Sequence, residues 1–175
     1  MPKKTIATVT VVFESDKRII AHRFSPNMSI LFLTERQRDR ILESAVFLDD
    51  PVPQAHTLVE FDTEEFYANP GSLVMQGGRL PGDEGRPRRG VIDARDASVQ
   101  LSADGAHVFF YGTRYNADPL DVAPKTFLDR VAIRTGATER IFEGENEGAF
   151  ERLTSILDID SSRFIVSRES PLEVA

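Results

Sequence analysis

Three short polar turns in this chain share one plan, and no other feature constrains the fold as strongly. Each turn is built on Asn or Asp and lies between two runs with strand character. The turns, at residues 25–29, 102–106 and 158–162, align without a gap. The preceding runs are residues 18–24, 91–101 and 152–157, and the following runs are residues 30–33, 108–111 and 164–166. Because two strands joined by a tight polar turn form a β-hairpin, the sequence predicts a repeated hairpin.

The first hairpin continues into two more strands. Residues 41–48 and 56–61 have strand character, with a charged turn expected before them at residues 35–40. Four antiparallel strands in chain order form one blade of a β-propeller. We therefore predict an all-β domain, a partial β-propeller with antiparallel four-stranded blades. Its units span residues 14–62, 72–143 and 150–175, about two and a half blades because the last is incomplete.

Four further segments complete this prediction. Alternating Thr and Val or Ile at residues 5–13 indicates a strand. Residues 77–90 are rich in glycine, proline and arginine and predict a long loop, and a second loop is expected at residues 115–125. A hairpin is expected from residues 127–142, around Gly136, where glycine supplies the positive φ of a tight turn.

Charge and composition exclude several classes of partner. The 175 residues carry a formal charge of −7 and have a pI near 5.0. This balance disfavours nucleic acid and anionic membranes, whose binding depends on Lys and Arg. No apolar run approaches the roughly 18 residues of a membrane helix, and no signal-peptide pattern is present. We therefore expect a cytoplasmic protein, and the absence of cysteine agrees with a reducing compartment.

A family resemblance is carried by several short segments. One is Leu157-Asp158-Ile159-Asp160-Ser161-Ser162-Arg163-Phe164, and the others are residues 24–27, 33–36, 67–72, 127–130, 135–140 and 168–171. Together they resemble the propeller domain of the prolyl oligopeptidase family of serine peptidases, above all its bacterial and plastid glutamyl-endopeptidase-like branch. The likeness covers residues 18–171. In that family the propeller caps an α/β-hydrolase domain and restricts access to a Ser, Asp, His triad, so the resemblance implies a part that gates or selects peptide substrates.

The catalytic half of that family is not recognisable in the sequence. A nucleophile elbow has the form Gly-x-Ser-x-Gly, and no serine of this chain stands in that frame. His22, His56 and His107 are predicted to be exposed strand residues, since no nucleophile is placed beside them. We expect no catalytic residues, no cofactor and no peptidase activity from this polypeptide alone.

Two motifs resemble ligand sites without matching them. Four residues fit positions one, three, five and twelve of a calcium loop: Asp158, Asp160, Ser162 and Glu169. Arg163 stands where such a loop requires glycine, so a plain hairpin turn without a metal is predicted. The glycine-rich segment at residues 77–90 lacks the Gly-Lys-Ser/Thr ending of a phosphate-binding loop and is predicted to be a solvated insertion.

Arginines recur after the second strand of each unit. Arg36, Arg114 and Arg168 are expected just beyond those strands, at the same end of the sheets if the units are equivalent. Guanidinium groups in this place would line a funnel and bind acidic groups of a peptide, whereas solvated charges at the blade ends are the plainer interpretation. Arg168 with its neighbour Glu169 is the strongest candidate. The candidate substrate-binding residues are thus Arg168, Glu169, Arg114 and Arg36.

An incomplete propeller leaves strand edges that need partners. Propellers close with roughly four to eight blades, and unpaired edges template association. We therefore expect either a missing catalytic domain with further blades or self-association through the edges. Folding back into a compact sandwich or barrel is a third arrangement. Two functions stay open, a substrate-selecting portion of a prolyl-oligopeptidase-like peptidase and a free-standing, non-enzymatic module that binds a protein or peptide.

Overall fold

The structure is a computed structural model, and it describes residues 11–80, 98–118, 123–145 and 148–170. In this part of the chain the regular structure is β-strand, apart from one short 3₁₀ helix at Phe66–Ala68. No helix there has the length and apolar character needed to cross a membrane. The strands are β1 (Arg18–Phe24), β2 (Ile30–Gln37), β3 (Arg40–Phe47), β4 (Ala55–Asp62), β5 (Ser72–Leu73), β6 (His107–Arg114), β7 (Lys125–Ala132), β8 (Thr138–Glu143), β9 (Phe150–Ile156) and β10 (Phe164–Glu169).

The strands form three sheets whose order follows the chain. Sheet 1 has the order β1-β2-β3-β4, sheet 2 has the order β5-β6-β7-β8, and sheet 3 contains β9 and β10. Every neighbouring pair is antiparallel. The predicted all-β fold with antiparallel four-stranded units is therefore confirmed in sheets 1 and 2, while the third unit shows two strands within the described residues.

Sheet 1 extends further than its sequence indicates. The predicted charged turn at residues 35–40 is wrong, because β2 and β3 continue through most of it. Only Arg38 and Asp39 remain between the strands, and Arg38 adopts a left-handed φ of 57°. The strands themselves predicted at residues 41–48 and 56–61 are confirmed as β3 and β4.

A buried carboxylate explains why β2 continues past its apolar residues. The Glu35 side chain is only 3% exposed, and its oxygens accept hydrogen bonds from the hydroxyl groups of Ser15 and Ser44. A buried acid is tolerated in a sheet when donors satisfy it. Glu35 is therefore a buried residue of β2, although its charge led to the prediction of a turn.

The first strand position of sheet 2 is filled by two separate segments. Of the strand predicted at residues 91–101, the described residues 98–101 form isolated bridges rather than a continuous strand. β5 pairs with the middle of β6, and Leu101 forms an isolated bridge to Val108. The two segments meet where the Gln100 amide donates to the Val74 carbonyl at 3.0 Å. An insertion thus interrupts one strand position of the sheet.

The three polar turns have the same backbone geometry. The fourth residue of each turn is left-handed, with φ of 60° at Met28, 70° at Gly105 and 52° at Ser161. The amide of this fourth residue donates to the carbonyl of the first residue of its turn, at 2.9, 2.9 and 3.2 Å respectively. The gapless alignment of the three copies is therefore confirmed in the backbone.

Serine side chains close the first two turns. Ser25 Oγ accepts a hydrogen bond from the Ile30 amide at 3.0 Å and donates to the Asn27 side chain at 2.7 Å. Ser102 makes the equivalent bonds in the second copy, to the first residue of β6 and to the Asp104 carboxylate. These local side-chain contacts replace the backbone bonds that a tight turn leaves unmade.

The third turn is closed in a different way. Asp158 occupies the first position, and its carboxylate accepts hydrogen bonds from the amide and the hydroxyl of Ser162, both at 2.9 Å. Asp160 instead accepts a hydrogen bond from the amide of Ala103, in the second turn, at 2.8 Å. Gln100 Nε2 also donates to two carbonyl groups of the third turn at 3.3 Å. The third hairpin is therefore tied to the second by polar contacts.

Sheet 2 lies between sheets 1 and 3 and buries both of its faces. Alternate residues of a strand point to opposite faces, and in β6 both sets are apolar. Val108 and Phe110 pack with sheet 1, whereas Phe109 packs with sheet 3. Their partners include Ile30, Phe32, Ala45 and Leu58 of sheet 1 and Leu153 and Ile156 of sheet 3. Apolar burial on both faces is thus the main force that stacks the sheets.

An ion pair also joins sheets 1 and 2 at the end that holds the polar turns. Arg134, between β7 and β8, donates to both oxygens of Asp50, at 3.0 and 3.1 Å, and lies 3.8 Å from the centre of the Phe47 ring. Gly136 in the same turn has φ of 69°, and a Cβ there would lie 2.7 Å from the Thr57 carbonyl oxygen. The hairpin predicted around Gly136 is confirmed. Its turn lies against Asp50 and Thr57, so sheets 1 and 2 present their turns at the same end of the stack.

Some predicted segments lie wholly or partly outside the described residues. They are most of the strand at residues 5–13, most of the loop at residues 77–90, the centre of the loop at residues 115–125 and the start of the strand at residues 91–101. Residues 11–13 are described and are not in a strand.

Candidate functional site

The sheets stack in the same orientation, so their strand ends form two separate surfaces. The polar turns share one surface, where Asp160 contacts Ala103. On the opposite surface the Thr126 hydroxyl of sheet 2 donates to the Glu151 carbonyl of sheet 3 at 3.2 Å. The strands β2, β6 and β10 all finish there. We call this surface the arginine end, after Arg36, Arg114 and Arg168.

The three arginines share this end but do not occupy equivalent positions. Counted from the first residue of the polar turn, Arg36 is residue 12, Arg114 is residue 13 and Arg168 is residue 11. Because side chains alternate along a strand, Arg36 points to the opposite side of its sheet from the other two. All three still pair with a neighbouring strand, so their predicted location just beyond the strands is wrong. The strands are longer than their apolar runs.

Carboxylates engage two of the three arginines. Arg114 donates to Glu143 at 2.8 Å. Arg168 lies 3.2 Å from a carboxylate oxygen of Glu151 and 3.4 Å from one of Glu145. Pairs that are open to solvent contribute little to stability. These guanidinium groups can therefore exchange their present partners for a carboxylate of a ligand at small cost.

The other two predicted site residues are less engaged. Arg36 Nε donates to the carbonyl of Arg38 at 2.8 Å, and no carboxylate in the described part of the chain pairs with it. Glu169 is exposed at the end of β10 and likewise makes no ion pair with a described residue. Within the described residues no hydrogen bond or ion pair joins any two of the four predicted site residues, although all four lie on one surface.

A chain of ion pairs crosses sheet 2 behind Arg114. The largely buried Asp129 carboxylate accepts two hydrogen bonds from Arg140, at 2.8 and 3.0 Å. Arg140 also donates to Glu143 at 2.5 Å. Partial burial pushes the pKa of Glu143 upward, but the hydrogen bond from Arg140 and the charge of Arg114 outweigh it and hold that pKa below its ordinary value. Glu143 stays ionised and pairs with both Arg114 and Arg140.

A small groove opens at the arginine end, between β5 and the last residues of β6. Two glycines allow the strands to approach there: a Cβ on Gly71 would lie 2.4 Å from the Tyr111 carbonyl oxygen, and one on Gly112 would lie 2.7 Å from the Gly71 Cα. Gly71 has φ of 82°, and its amide donates to the Asn69 side chain at 2.8 Å. The groove has a volume of about 270 Å³ and is lined by Asn69, Gly71, Ser72, Tyr111, Gly112, Thr113 and Tyr115.

The groove is small and is lined by glycine, hydroxyl, amide and aromatic residues. Its volume matches one side chain rather than a cofactor, whose sites are typically about 300–1,000 Å³. The Tyr111 hydroxyl donates to the Leu153 carbonyl at 3.3 Å. Burial raises the pKa of Tyr111 although the charge of Arg152 opposes this, so the phenol stays neutral. Tyr115 also lines the groove and is 42% exposed.

Sequence reasoning missed this groove, although two signals for it were present. Glycine inside a strand often marks a close approach of another backbone, and Gly112 interrupts an otherwise β-branched and aromatic run. Asn69 and Gly71 flank a proline, a pattern typical of a turn. Neither signal says that the two segments meet, because that contact depends on the pairing of β5 with β6.

Each histidine makes a contact within the fold. His22 is exposed on β1, as predicted. The prediction is wrong for His56 and His107, which are half-buried. The His56 ring packs edge-on against Phe47, with ring centres 5.6 Å apart, and His107 Nδ1 lies 3.8 Å from the Asp104 carboxylate. His56 thus contributes to packing and His107 lies beside the second polar turn.

The carboxylates of the third turn are used within the fold. Asp158 accepts hydrogen bonds from Ser162 and also from Arg163 Nε, at 3.1 Å. The plain hairpin turn predicted at residues 158–162 is confirmed. Across the described ranges no three His, Asp or Glu side chains are grouped so that they would hold a metal ion.

Protein-family models, curated proteins and solved structures give no match to this chain. The arginine end combines a groove of side-chain size with guanidinium groups whose carboxylate partners are exchangeable.

Proposed function

We propose that this chain is a non-catalytic propeller portion that binds and selects peptide segments at its arginine end, as the resemblance to prolyl-oligopeptidase-like serine peptidases implies. The observation that carries the proposal is the shared location of the groove and the three arginines at one end of the stack. A peptide that is offered to a peptidase through a propeller meets strand ends and loops, which is where these groups lie.

The stacking of the sheets supports a propeller. Successive sheets with the same strand order pack face to face, and the equivalent apolar residues Phe32 and Phe109 each fill the space between one sheet and the next. Blades of a propeller pack in this manner. The ring itself would require further sheets beyond those that the chain supplies within the described residues.

The charges of the arginine end support a peptide with an isolated acidic residue. A polyanion is disfavoured by the formal charge of −7. A single ligand carboxylate needs only to replace Glu143 at Arg114, or Glu151 and Glu145 at Arg168. Such an exchange of exposed pairs gives modest affinity and a clear preference for acidic over neutral side chains.

A free-standing peptide-binding module is the second candidate function. The observation that favours it is the sequence itself, in which no serine has the Gly-x-Ser-x-Gly frame. Such a module would use the same groove and the same arginines. The gene distinguishes the two functions: an open frame that continues into further strands and a nucleophile elbow supports the peptidase portion, and a stop without a neighbouring hydrolase gene supports the module.

Fluorescence anisotropy with labelled hexapeptides tests the binding function. The peptides carry Glu, Gln or Lys at one central position in an otherwise alanine background. We expect the Glu peptide to bind most tightly and its affinity to fall with added salt. Arg168→Gln and Arg114→Gln should each weaken Glu-peptide binding several-fold and leave the Gln peptide nearly unchanged.

Arg163→Gln is the matched control, because Arg163 is an exposed arginine next to the polar turn at the opposite end. Its Glu-peptide affinity should equal that of the unaltered chain. Equal affinity for the Glu and Gln peptides, or an equal loss in Arg163→Gln and Arg168→Gln, would contradict recognition at the arginine end.

A further inference from the structure

The strand β10 lacks the neighbour that its counterparts have. The second strand of sheet 1, β2, pairs on both sides, with β1 and β3, and the second strand of sheet 2, β6, pairs with β5 and β7. The third copy of this strand, β10, pairs only with β9 within the described residues. One long edge of β10 therefore carries backbone groups that sheets 1 and 2 use for a third strand.

The other edge strands have features that prevent pairing with another chain, and β10 has none of them. The strands β1, β4, β8 and β9 each contain one extra residue relative to the partner strand, and β5 is only two residues long. The extra residues are Ile20, Leu58, Ile141 and Thr154. Bulges and short strands prevent edges from pairing with another chain. β10 has six residues and no bulge of its own, so it is built like an interior strand.

The exposed side chains of β10 indicate the same incompleteness. Phe32, Phe109 and Ile165 each stand eight residues into their repeat. Phe32 is 2% exposed and Phe109 is fully buried, whereas Ile165 is 50% exposed. By strand alternation Ile165 points away from sheet 2, because Phe164 packs toward it against Phe142. An apolar residue thus lies uncovered beside the open edge.

The backbone of β10 sets which residues can pair across that edge. The Leu157 amide donates to the Arg163 carbonyl at 2.8 Å, so the backbone groups of Arg163 point toward β9. Those groups alternate along an antiparallel strand. Phe164 and Val166 therefore direct their amides and carbonyls to the open edge, and Ile165 lies between them.

We propose that a second copy of this chain pairs with this edge, β10 against β10 and antiparallel, centred on Ile165. In this register Ile165 lies opposite Ile165 of the second copy, and Phe164 lies opposite Val166 of the second copy. The complete sheets have the same chemistry at the position of Phe164, where Leu31 faces Val46 and Val108 faces Val131. The result is one four-stranded sheet shared by two copies.

Charges complement each other in the same register. Arg163 lies opposite Ser167 of the second copy and is therefore diagonal to Glu169 of that copy, on the same face of the shared sheet. Both side chains are exposed. The two-fold symmetry repeats the contact, so two Arg163 to Glu169 pairs flank the apolar centre. Arg114 and Arg168, which contact the ligand carboxylate in the proposed function, are not part of these pairs.

Single cysteines test the register directly, since the chain contains no cysteine. Residues opposite each other in a non-hydrogen-bonded antiparallel pair have their Cα atoms about 4.5 Å apart, within the range of a disulfide. Ile165→Cys should form a disulfide-linked dimer on mild oxidation of the folded protein. Ser167→Cys is the matched control on the same strand and face, and it should stay uncrosslinked because its copies are four residues apart in register.

Sedimentation of the cysteine-free chain tests the association itself. We expect a monomer–dimer equilibrium that Ile165→Lys shifts to monomer, because the two lysines would face each other. Ile20→Lys, at a comparably exposed isoleucine on the bulged strand β1, should leave the equilibrium unchanged. A chain that stays monomeric at high concentration, or crosslinking through Ser167→Cys but not Ile165→Cys, overturns the proposal.

Discussion

Asp160 accepts a hydrogen bond from the backbone amide of Ala103 at 2.8 Å, and this bond joins the third polar turn to the second. The equivalent residue of the second turn, Asp104, instead accepts a hydrogen bond from an amide of its own turn. The third residue of the turn therefore closes the second turn, through Asp104, and joins the third turn to the second, through Asp160. The difference is possible because Asp158 has taken over the closing role in the third copy.

Replacing Asp160 should loosen the docking of the third hairpin without disturbing its turn. Asp160→Ala removes the acceptor for the Ala103 amide, and we expect it to lower the free energy of unfolding by about 1 kcal/mol. Asp160→Asn keeps an acceptor oxygen and should cost less. Urea denaturation of the two variants gives the comparison. Equal losses in both would mean that the negative charge, and not the hydrogen bond, matters at this position.

Equivalent residues of the repeats should differ sharply in their effect on stability. Phe109 fills the space between sheets 2 and 3, so Phe109→Ala should lower the free energy of unfolding by about 3–5 kcal/mol. Ile165→Ala, eight residues into the third repeat, should cost only about 1 kcal/mol in dilute solution, since that side chain is 50% exposed. Urea denaturation at low protein concentration measures both. Similar losses would contradict the stacking order of the sheets.

Two left-handed glycines provide a test of the close approach at the groove. Gly71→Ala combines a φ of 82° with a Cβ only 2.4 Å from a backbone oxygen, and should destabilise the fold by more than about 2 kcal/mol. Gly105→Ala has a similar φ of 70° but open space around the new Cβ, and should cost about 1 kcal/mol. Thermal unfolding of the pair isolates the steric part. A Gly71→Ala variant as stable as Gly105→Ala would show that the strands can separate there.

Glu43 should make stability depend on pH in an unusual direction. Burial raises its pKa, although the Thr34 hydroxyl bond at 2.8 Å and the charge of Arg23 oppose the shift. The folded state therefore favours the protonated acid. The resulting stabilisation is complete below the unfolded pKa of about 4.3 and is lost as the pH rises through the folded pKa.

The Glu43→Gln variant isolates this contribution, because an amide cannot ionise and still offers an oxygen to Thr34. We expect Glu43→Gln to gain stability relative to the unaltered chain as the pH rises from about 4 to 8. Denaturant titrations of both proteins across that range measure the difference. A difference that is constant with pH would mean that Glu43 is as well solvated in the folded as in the unfolded state.

Local signals were sufficient to predict the hairpins. The turns combine Ser or Asp at the first position with Asn or Asp at the third, and side chains of this kind bond to backbone groups only a few residues away. The bonds of Ser25 with Asn27 and Ile30 are of this type. Because the bonded residues lie within five positions of each other, these hydrogen bonds can be predicted from the sequence without knowledge of the tertiary fold.

Long-range contacts were not predictable in the same way. The first strand position of sheet 2 joins Val74 to Gln100 across an insertion, and only the packed sheet brings them together. Glu35 reads as a turn residue, yet hydrogen bonds from Ser15 and Ser44 make it part of a strand. In each case a distant segment supplies the group that decides the local structure.

The candidate site was predictable in its location and not in its detail. The direction of each second strand follows from its turn, so the arginines were expected at one end, and they lie there. Side chains alternate along a strand, so a shift of one residue within the repeat places an arginine on the other side of its sheet. Arg36 and Arg114 differ by that single step. The groove depends on the approach of Gly71 to Gly112, and the local signals at these glycines do not show that the two segments meet.

The burial of β6 on both faces limits where new binding preferences can arise. The middle of β6 contacts other sheets on alternate sides, through Val108, Phe109 and Phe110. A substitution there that creates a contact with a ligand therefore removes a packing contact between sheets. Residues at the strand ends are not packed between two sheets in this way. Changes of surface shape and charge should therefore be tolerated at the rims of the stack, whereas the middle layer should tolerate few changes of side-chain size.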